Sequence, residues 1–273
     1  MRPTTAERVI IMNEVLEVRH LFKSYPGFAL RDVSFRLESG RIMGFIGRNG
    51  AGKTTTLKSL LNLVHPDGGE IRYFGLDPSE NERTILQRVG FAGGAVDYYR
   101  RKKISDIVAV TKRFYDNWDE EEYQKYLAYF SIDPGKTPAQ LSEGMRVKLN
   151  LTLALSHRAR LLILDEPTSG LDPVSREELT DTFWYLRKKG ISILFSTQIV
   201  SDLEKCADDI TYIKNGEIVA SEPLADFIAF HRQLGMPDKL EDIMIQYEKE
   251  GLAYAAAKEK EADAAQAPDK SSE

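Results

Sequence analysis

The apolar positions change period along the chain, and each change marks an element. From Asn13 they begin to alternate, and Val15-Leu16-Glu17-Val18 reads as a strand. Lys23-Ser24-Tyr25-Pro26-Gly27 is a turn. Val33, Phe35 and Leu37 then alternate with Ser34, Arg36 and Glu38, a half-buried strand. These two strands predict a small antiparallel sheet. Arg41 to Ile46 is a short apolar run after a Ser39-Gly40 turn and reads as a buried strand. The period next becomes helical, with Leu57, Leu60, Leu61 and Val64 at i, i+3, i+4 and i+7. Pro66-Asp67-Gly68-Gly69 is a turn, Glu70 to Phe74 a strand, and Val89 to Ala92 a strand running into Gly93-Gly94.

From Asp97 to about Arg160 strand signals stop. Ser105 to Phe114 is helical, and Tyr123, Tyr126, Leu127 and Phe130 again repeat at i, i+3, i+4 and i+7, with their aromatic rings read as core. Between strand and helix, Tyr98 to Lys103 is aromatic and basic, read as a solvated turn in preference to a contact patch. Strand patterns return at Leu161 to Leu164 and Ile191 to Phe195. Ser201-Asp202-Leu203-Glu204 fits a helix capping box. Ile210 to Lys214 and Glu217 to Ser221 flank Asn215-Gly216, a strong hairpin signal. The organisation expected is a leader over 1–12, a core over 13–96 and 161–222 that includes the antiparallel sheet, and an inserted helical subdomain over 97–160. A C-terminal segment over 223–254 and a disordered tail over 255–273 follow, the tail being Ala, Lys, Glu, Asp and Ser with no aromatic residue after Tyr254.

Between the buried strand and the first helix lies Gly47-Arg48-Asn49-Gly50-Ala51-Gly52-Lys53-Thr54-Thr55, which has the phosphate-binding P-loop form G-x-x-x-x-G-K-T. Gly50 and Gly52 lack a Cβ, so the backbone can curl and aim several N–H groups at one anion. Lys53 can reach β- and γ-phosphates, and the Thr54 hydroxyl can ligate Mg²⁺. The following helix presents the positive end of its dipole to the phosphates.

Two further features extend this chemistry. Leu161 to Leu164 ends in Asp165-Glu166; at a nucleotide-hydrolysing site Asp165 would hold Mg²⁺ and Glu166 would orient and polarise the attacking water. Leu141-Ser142-Glu143-Gly144-Met145 precedes a helical run, so the Ser142 hydroxyl, the Gly144 backbone and a helix N-terminus form a second anion cradle. One ATP does not need two cradles. A second one suits an ATP held by another subunit, which predicts a dimer with nucleotide at its interface.

Composition narrows the partners. The 273 residues carry a net charge of −5, which gives no general electrostatic reason to bind nucleic acid. Cys206 is the only cysteine, so an intrachain disulfide is impossible. No apolar run approaches the roughly 18 residues of a spanning helix, and the N-terminus shows no signal-peptide core. Any membrane part is therefore expected from a separate chain.

The ordered set Tyr25, Gly47 to Thr55, Leu141 to Met145, Leu161 to Pro167 and Thr168-Ser169-Gly170-Leu171-Asp172 resembles the ATP-binding subunits of ABC (ATP-binding cassette) transporters over about Asn13 to Ser221. The stretches Tyr115 to Glu121 and Leu141 to Met145 are similar to bacterial exporters of the ABC-2 type, which often handle antimicrobial peptides or lipophilic compounds. The resemblance implies an α/β fold: a P-loop NTPase core with a mainly parallel sheet, a flanking antiparallel β subdomain and an inserted helical subdomain. It implies an ATPase using ATP and Mg²⁺, paired with a second cassette and a transmembrane permease at the cytoplasmic face of the membrane. Tyr25 would stack on adenine, Ser142 and Gly144 would bind the γ-phosphate across the dimer, and Asp172 would link the two sites.

Three motifs depart from the family. Glu143 and Met145 replace the first Gly and the Gln of the usual L-S-G-G-Q. Gly94 stands where the family has a Gln, and Gln198 where it has a His that helps fix the attacking water. The expectation is ATP binding with slowed hydrolysis, Lys53, Glu166 and Gln198 carrying the catalytic roles. Two alternatives stay open: a soluble ATP-driven clamp acting on nucleic acid or the ribosome, and a regulatory cassette that binds ATP without turnover.

Overall fold

The computed structural model describes residues 13–93 and 99–250. The leader, Gly94 to Tyr98 and the tail lie outside the described residues. Strands β1 (Glu14–Tyr25), β2 (Phe28–Glu38) and β4 (Gly68–Tyr73) form an antiparallel sheet in the order β2-β1-β4. Strands β3 (Ile42–Ile46), β5 (Val89–Gly93), β6 (Leu161–Asp165), β7 (Ser192–Thr197), β8 (Asp209–Lys214) and β9 (Glu217–Pro223) form a second sheet in the order β5-β6-β7-β3-β8-β9. All its pairings are parallel except β8 with β9.

Parallel strands buried on both faces need two cores, and their period-2 alternation supplies them. Ile42, Ile46, Leu162, Leu164, Ile193 and Phe195 enter the core built with the helices. Met43, Phe45, Leu161, Ile163 and Leu194 enter the core shared with the antiparallel sheet. Gly44 is the closest approach between layers: a Cβ there would lie 1.4 Å from Leu203 on α7 (Val200–Cys206). Helix α1 (Lys53–Leu60) follows the P-loop, and α2 (Pro78–Leu86) is an element the apolar pattern did not reveal.

Helices α3 (Ile104–Thr111), α4 (Glu120–Tyr129) and α5 (Glu143–Ser156) fill the stretch between β5 and β6, with Tyr123, Tyr126, Leu127 and Phe130 all buried. Arg101, Lys102 and Lys103 are exposed, as expected of a solvated turn; Tyr98 lies outside the described residues. Helix α6 (Pro173–Lys188) precedes β7, and α8 (Leu224–Gln233) and α9 (Leu240–Glu250) close the described chain.

Two local readings are corrected. Helix α1 ends at Leu60, because Asn62 takes a left-handed φ of 56° and turns the chain; Leu61, at the C-cap, and Val64, past the turn, are only partly buried. Ser201 is not a cap. Helix α7 begins at Val200 with Ile199 at its N-cap, and the cap contact comes from Thr197 Oγ1, which accepts from the Ile199 N–H at 2.9 Å. The Asn215-Gly216 hairpin is as the sequence implies, with φ of 51° and 83° at the two turn residues.

Candidate functional site

The P-loop joins the end of β3 to the start of α1, where the C-terminal ends of three parallel strands converge. Gly50 and Gly52 have φ of 81° and 118°, values that side chains resist. Gly52 has no room either: a Cβ would lie 2.7 Å from Leu30 Cδ2. At Gly47 it would lie 2.4 Å from the Ile213 carbonyl oxygen. The β8–β9 hairpin also pins the loop from outside, since the Gly216 N–H donates to the Ala51 carbonyl at 2.9 Å. A side chain at Gly47 or Gly52 would therefore push the loop off the Leu30 and Ile213 contacts that hold its shape.

That space is part of a cavity of about 650 Å³ lined by Phe28, Arg48, Asn49, Gly50, Gly52, Lys53, Thr54, Thr55, Glu166, Ser169 and Gln198, among others. Lys53 is 5% exposed. Its Nζ donates to the Gly47 carbonyl at 2.7 Å and faces Glu166 Oε1 at 3.2 Å. The lysine that would serve phosphate is therefore held by its own loop and neutralised by the carboxylate opposite. Thr54 Oγ1 lies 3.4 Å from Asp165 Oδ1. The register makes this meeting possible, because Asp165 on β6 sits opposite Ser196 on β7, whose neighbour β3 leads into the P-loop.

Glu166 carries two signs of constraint. Its φ is +50°, in the left-handed region that a non-glycine residue enters at a cost, and its Oε2 is buried with no hydrogen-bond partner. Its backbone N–H is held by Ser196, through Oγ at 3.0 Å and the carbonyl at 3.2 Å. Ser196 Oγ also donates to Asp165 Oδ1 at 2.6 Å. One hydroxyl therefore holds the Asp165 carboxylate and the Glu166 backbone. Ser196 escaped the sequence reading; its signal was a polar pair, Ser196-Thr197, ending an apolar strand.

The residues fit a magnesium nucleotide. They offer a glycine cradle that a Cβ would fill, a buried ammonium, a hydroxyl 3.4 Å from a carboxylate, and a buried carboxylate oxygen with an open valence. Lys53 and the cradle would take the phosphates, and Thr54 with Asp165 would hold Mg²⁺.

Other predicted residues stand apart from this cavity. Tyr25 is 40% exposed at the end of β1, with Lys23 Nζ 5.6 Å from its ring centre; Phe28, not Tyr25, lines the cavity. Ser142 is the N-cap of α5, its Oγ accepting from the Met145 N–H at 3.2 Å, and Gly144 lies in the first turn. Asp172 caps α6 by accepting from the Val174 and Ser175 N–H groups and the Ser175 hydroxyl, which together hold its carboxyl below the usual range. Neither Ser142, Gly144 nor Asp172 borders the P-loop cavity. Gly94 lies outside the described residues.

The C-terminal segment contributes a wall that the sequence did not disclose. Helix α9 faces the P-loop across a second cavity of about 560 Å³ that shares Asn49, Arg48 and Gln198 with the first. Glu248 lies 3.4 Å from Arg48 Nη1 and accepts from the Tyr212 hydroxyl at 2.8 Å.

A family model described as ABC transporter matches residues 30–169. The chain is 31% identical over 216 residues to the bacitracin transport ATP-binding protein BcrA of Bacillus licheniformis, covering 78% of this chain and 71% of that protein. It is 31% identical over 198 residues to the ABC transporter ATP-binding protein NatA of Bacillus subtilis, covering 70% and 80%. A solved ATP-binding subunit of an ABC transporter superposes with a TM-score of 0.76 at 28% identity, covering 86% of this chain and all of that one. With the P-loop, the paired carboxylates and these relatives together, the chain belongs to the ABC transporter family as an ATP-binding subunit, an ATPase that powers transport.

Proposed function

We propose that this chain is the ATPase subunit of an exporter of peptides, antimicrobials or lipophilic compounds, bound at the cytoplasmic face of a membrane to a separate permease. Among the described residues no helix is long and apolar enough to cross a membrane. The names of relatives, a bacitracin transport protein and a probable multidrug transporter protein of Escherichia coli, support the substrate class.

The observation that carries the catalytic reading is the seating of Asp165 and Glu166 against Lys53, Thr54 and Ser196. Lys53 binds β- and γ-phosphate oxygens, which frees Glu166 Oε1 to accept a proton from the attacking water. Thr54 and Asp165 would hold a Mg²⁺, which would supply charge neutralisation on those oxygens. Ser142 and Gly144 at the α5 N-terminus reach the γ-phosphate of the second subunit's ATP, and Asp172 relates the two sites. Their separation from the P-loop cavity supports a division of labour between two chains.

Gln198 lines the cavity beside Glu166. Its amide donates and accepts hydrogen bonds, but unlike an imidazole it does not take a proton near neutral pH. ATP binding is therefore retained and turnover slowed, on the order of 10²-fold by comparison with the loss of other charge-stabilising groups. Gly94, with no side chain, works in the same direction.

The test uses Glu166→Gln with Mg-ATP on a sizing column. The variant binds ATP, fails to turn it over and elutes as a dimer, and Ser142→Ala reverses dimerisation. A double variant that dimerises as well as Glu166→Gln alone refutes the shared site. For the rate, Gln198→His measured in single turnover raises hydrolysis without tightening binding; an unchanged rate in a briskly active wild type refutes the slowed site.

A further inference from the structure

Behind the cavity wall lies a buried polar cluster that the reading above does not use. Asp202 on α7 is 1% exposed and Thr168 is fully buried. Arg176, in the first turn of α6, extends its guanidinium toward Asp202 and the loop: Nη2 donates to the Leu171 carbonyl at 3.5 Å, and Nε lies 3.8 Å from Asp202 Oδ1. The Thr168 hydroxyl faces the same carboxyl. Yet Thr168 Oγ1, Arg176 Nε and Asp202 Oδ2 all lack a hydrogen-bond partner. Three open valences gathered at one buried point are unusual, because buried polar atoms are nearly always paired. Lys205, one turn along α7, adds a further positive charge near the carboxyl.

The cluster's place in the chain gives it meaning. Thr168 follows Glu166 by two residues, and Leu171 precedes Asp172. The backbone between them is a tight loop in which the Ser169 N–H donates to the Glu166 carbonyl at 3.2 Å and the Leu171 N–H to the Thr168 carbonyl at 3.3 Å. Asp202 sits in the first turn of the helix that begins just after Gln198, its N–H donating to the Ile199 carbonyl at 3.2 Å. Glu166 and Gln198 are two walls of one cavity, and Asp202 is the side chain that reaches from the helix behind one wall to the loop behind the other.

We propose that Asp202 is a positioning residue for hydrolysis, fixing the Glu166–Asp172 loop relative to Gln198 through Arg176 and Thr168. It touches no substrate. It acts by setting where the water-orienting carboxylate stands against the opposite wall, while the P-loop cradle, which it does not contact, is left alone. A glutamate at position 202 keeps the carboxylate that faces Arg176, so it separates the role of the charge from that of the amide's shape.

The inference rests on the catalytic reading of Glu166, and the experiment separates the two. The full chain is assayed for ATPase kcat and KM, for affinity toward a fluorescent ATP analogue, and for melting temperature. Asp202→Asn lowers kcat about 10-fold, the scale expected when a reacting group is misplaced by well under 1 Å, with nucleotide affinity changed less than about twofold. Asp202→Glu keeps or raises kcat. Arg176→Met lowers kcat similarly, and Arg176→Met with Asp202→Asn is no worse than either alone. Where Asp202→Asn fails to fold, Thr168→Val carries the same test. Equal loss of kcat in Asp202→Glu and Asp202→Asn, additive losses in the double variant, or affinity falling in step with kcat would overturn the inference. If Glu166→Gln loses turnover while Asp202→Asn does not, this inference alone is wrong; if Glu166→Gln is fully active, the catalytic reading fails with it.

Discussion

Replacing Ser196 with Ala isolates the contact that holds the Asp165 carboxylate and the Glu166 backbone. The substitution deletes a 2.6 Å hydrogen bond to Asp165 Oδ1 and a 3.0 Å bond from the Glu166 N–H, inside a strand with no solvent access. A bond to a charged acceptor contributes about 1.5–3 kcal/mol, and the Glu166 N–H retains its bond to the Ser196 carbonyl. The net loss is therefore about 2 kcal/mol, or a fall of roughly 4–8 °C in melting temperature for a chain of this size. The functional loss should exceed what stability implies. Glu166 is held at φ +50°, a conformation costing about 1–3 kcal/mol, and Ser196 is one of the few groups holding it there. Released, Glu166 relaxes away from Lys53, and a displacement near 1 Å costs about 10²-fold in turnover. The assay is steady-state ATPase activity alongside calorimetric nucleotide binding and a thermal melt. A variant that loses thermal stability but keeps kcat within about twofold would show that Ser196 supports the sheet and not the site.

Three further outcomes follow from the same coordinates. Lys53→Ala removes the cation facing Glu166 and the phosphates, and calorimetry should find Mg-ATP affinity reduced by more than about 10-fold; equal affinity in both proteins would dismiss the site. Gly52→Ala should abolish nucleotide binding, whereas Gly50→Ala, with a left-handed φ but open space around its Cβ, should lose only about 1 kcal/mol of stability and weaken binding modestly; comparable effects of the two would contradict the steric account. His157 stacks on Tyr115 with ring centres 3.8 Å apart, and burial pushes it down to about 4. Its folded value lies below the unfolded 6.5, so between them the unfolded chain binds the proton first and stability falls as pH drops through that window, by at most about 3 kcal/mol. Urea titrations should show that slope flattened in His157→Phe, and an unchanged slope would assign the pH dependence elsewhere.

How much of this was legible depended on the range of the interaction. The P-loop was readable because its backbone curl demands glycine locally, and the two buried strand faces because period-2 alternation is a property of each strand alone. Ser196 was not readable: its importance comes from lying opposite Asp165 in a neighbouring strand, 31 positions earlier. Helix α9 beside the P-loop depends on a contact across 200 positions. Local pattern also misled. Leu61 and Val64 continue the helical spacing of α1, but Asn62 breaks the backbone between them. Ser201 to Glu204 matches a capping box, yet tertiary packing starts the helix two residues sooner and buries Asp202 against Arg176.

The contacts also bear on the departure at position 198. Among the described residues, those that seat Asp165 and Glu166 run through Ser196, Thr54 and Lys53, and none through Gln198. Changing that residue therefore leaves the cradle, the metal-holding pair and the strained Glu166 in place. What it removes is a group able to carry charge beside the reacting phosphate. A change at position 198 should therefore touch turnover more than binding, even though Lys53 serves both the phosphates and Glu166. On the function proposed above, a chain with Gln198 would close on ATP and hold it longer before hydrolysis reopened the assembly. The lifetime of the closed state would then be the quantity that Gln198 sets, and restoring an imidazole there should shorten it without changing how tightly ATP is bound.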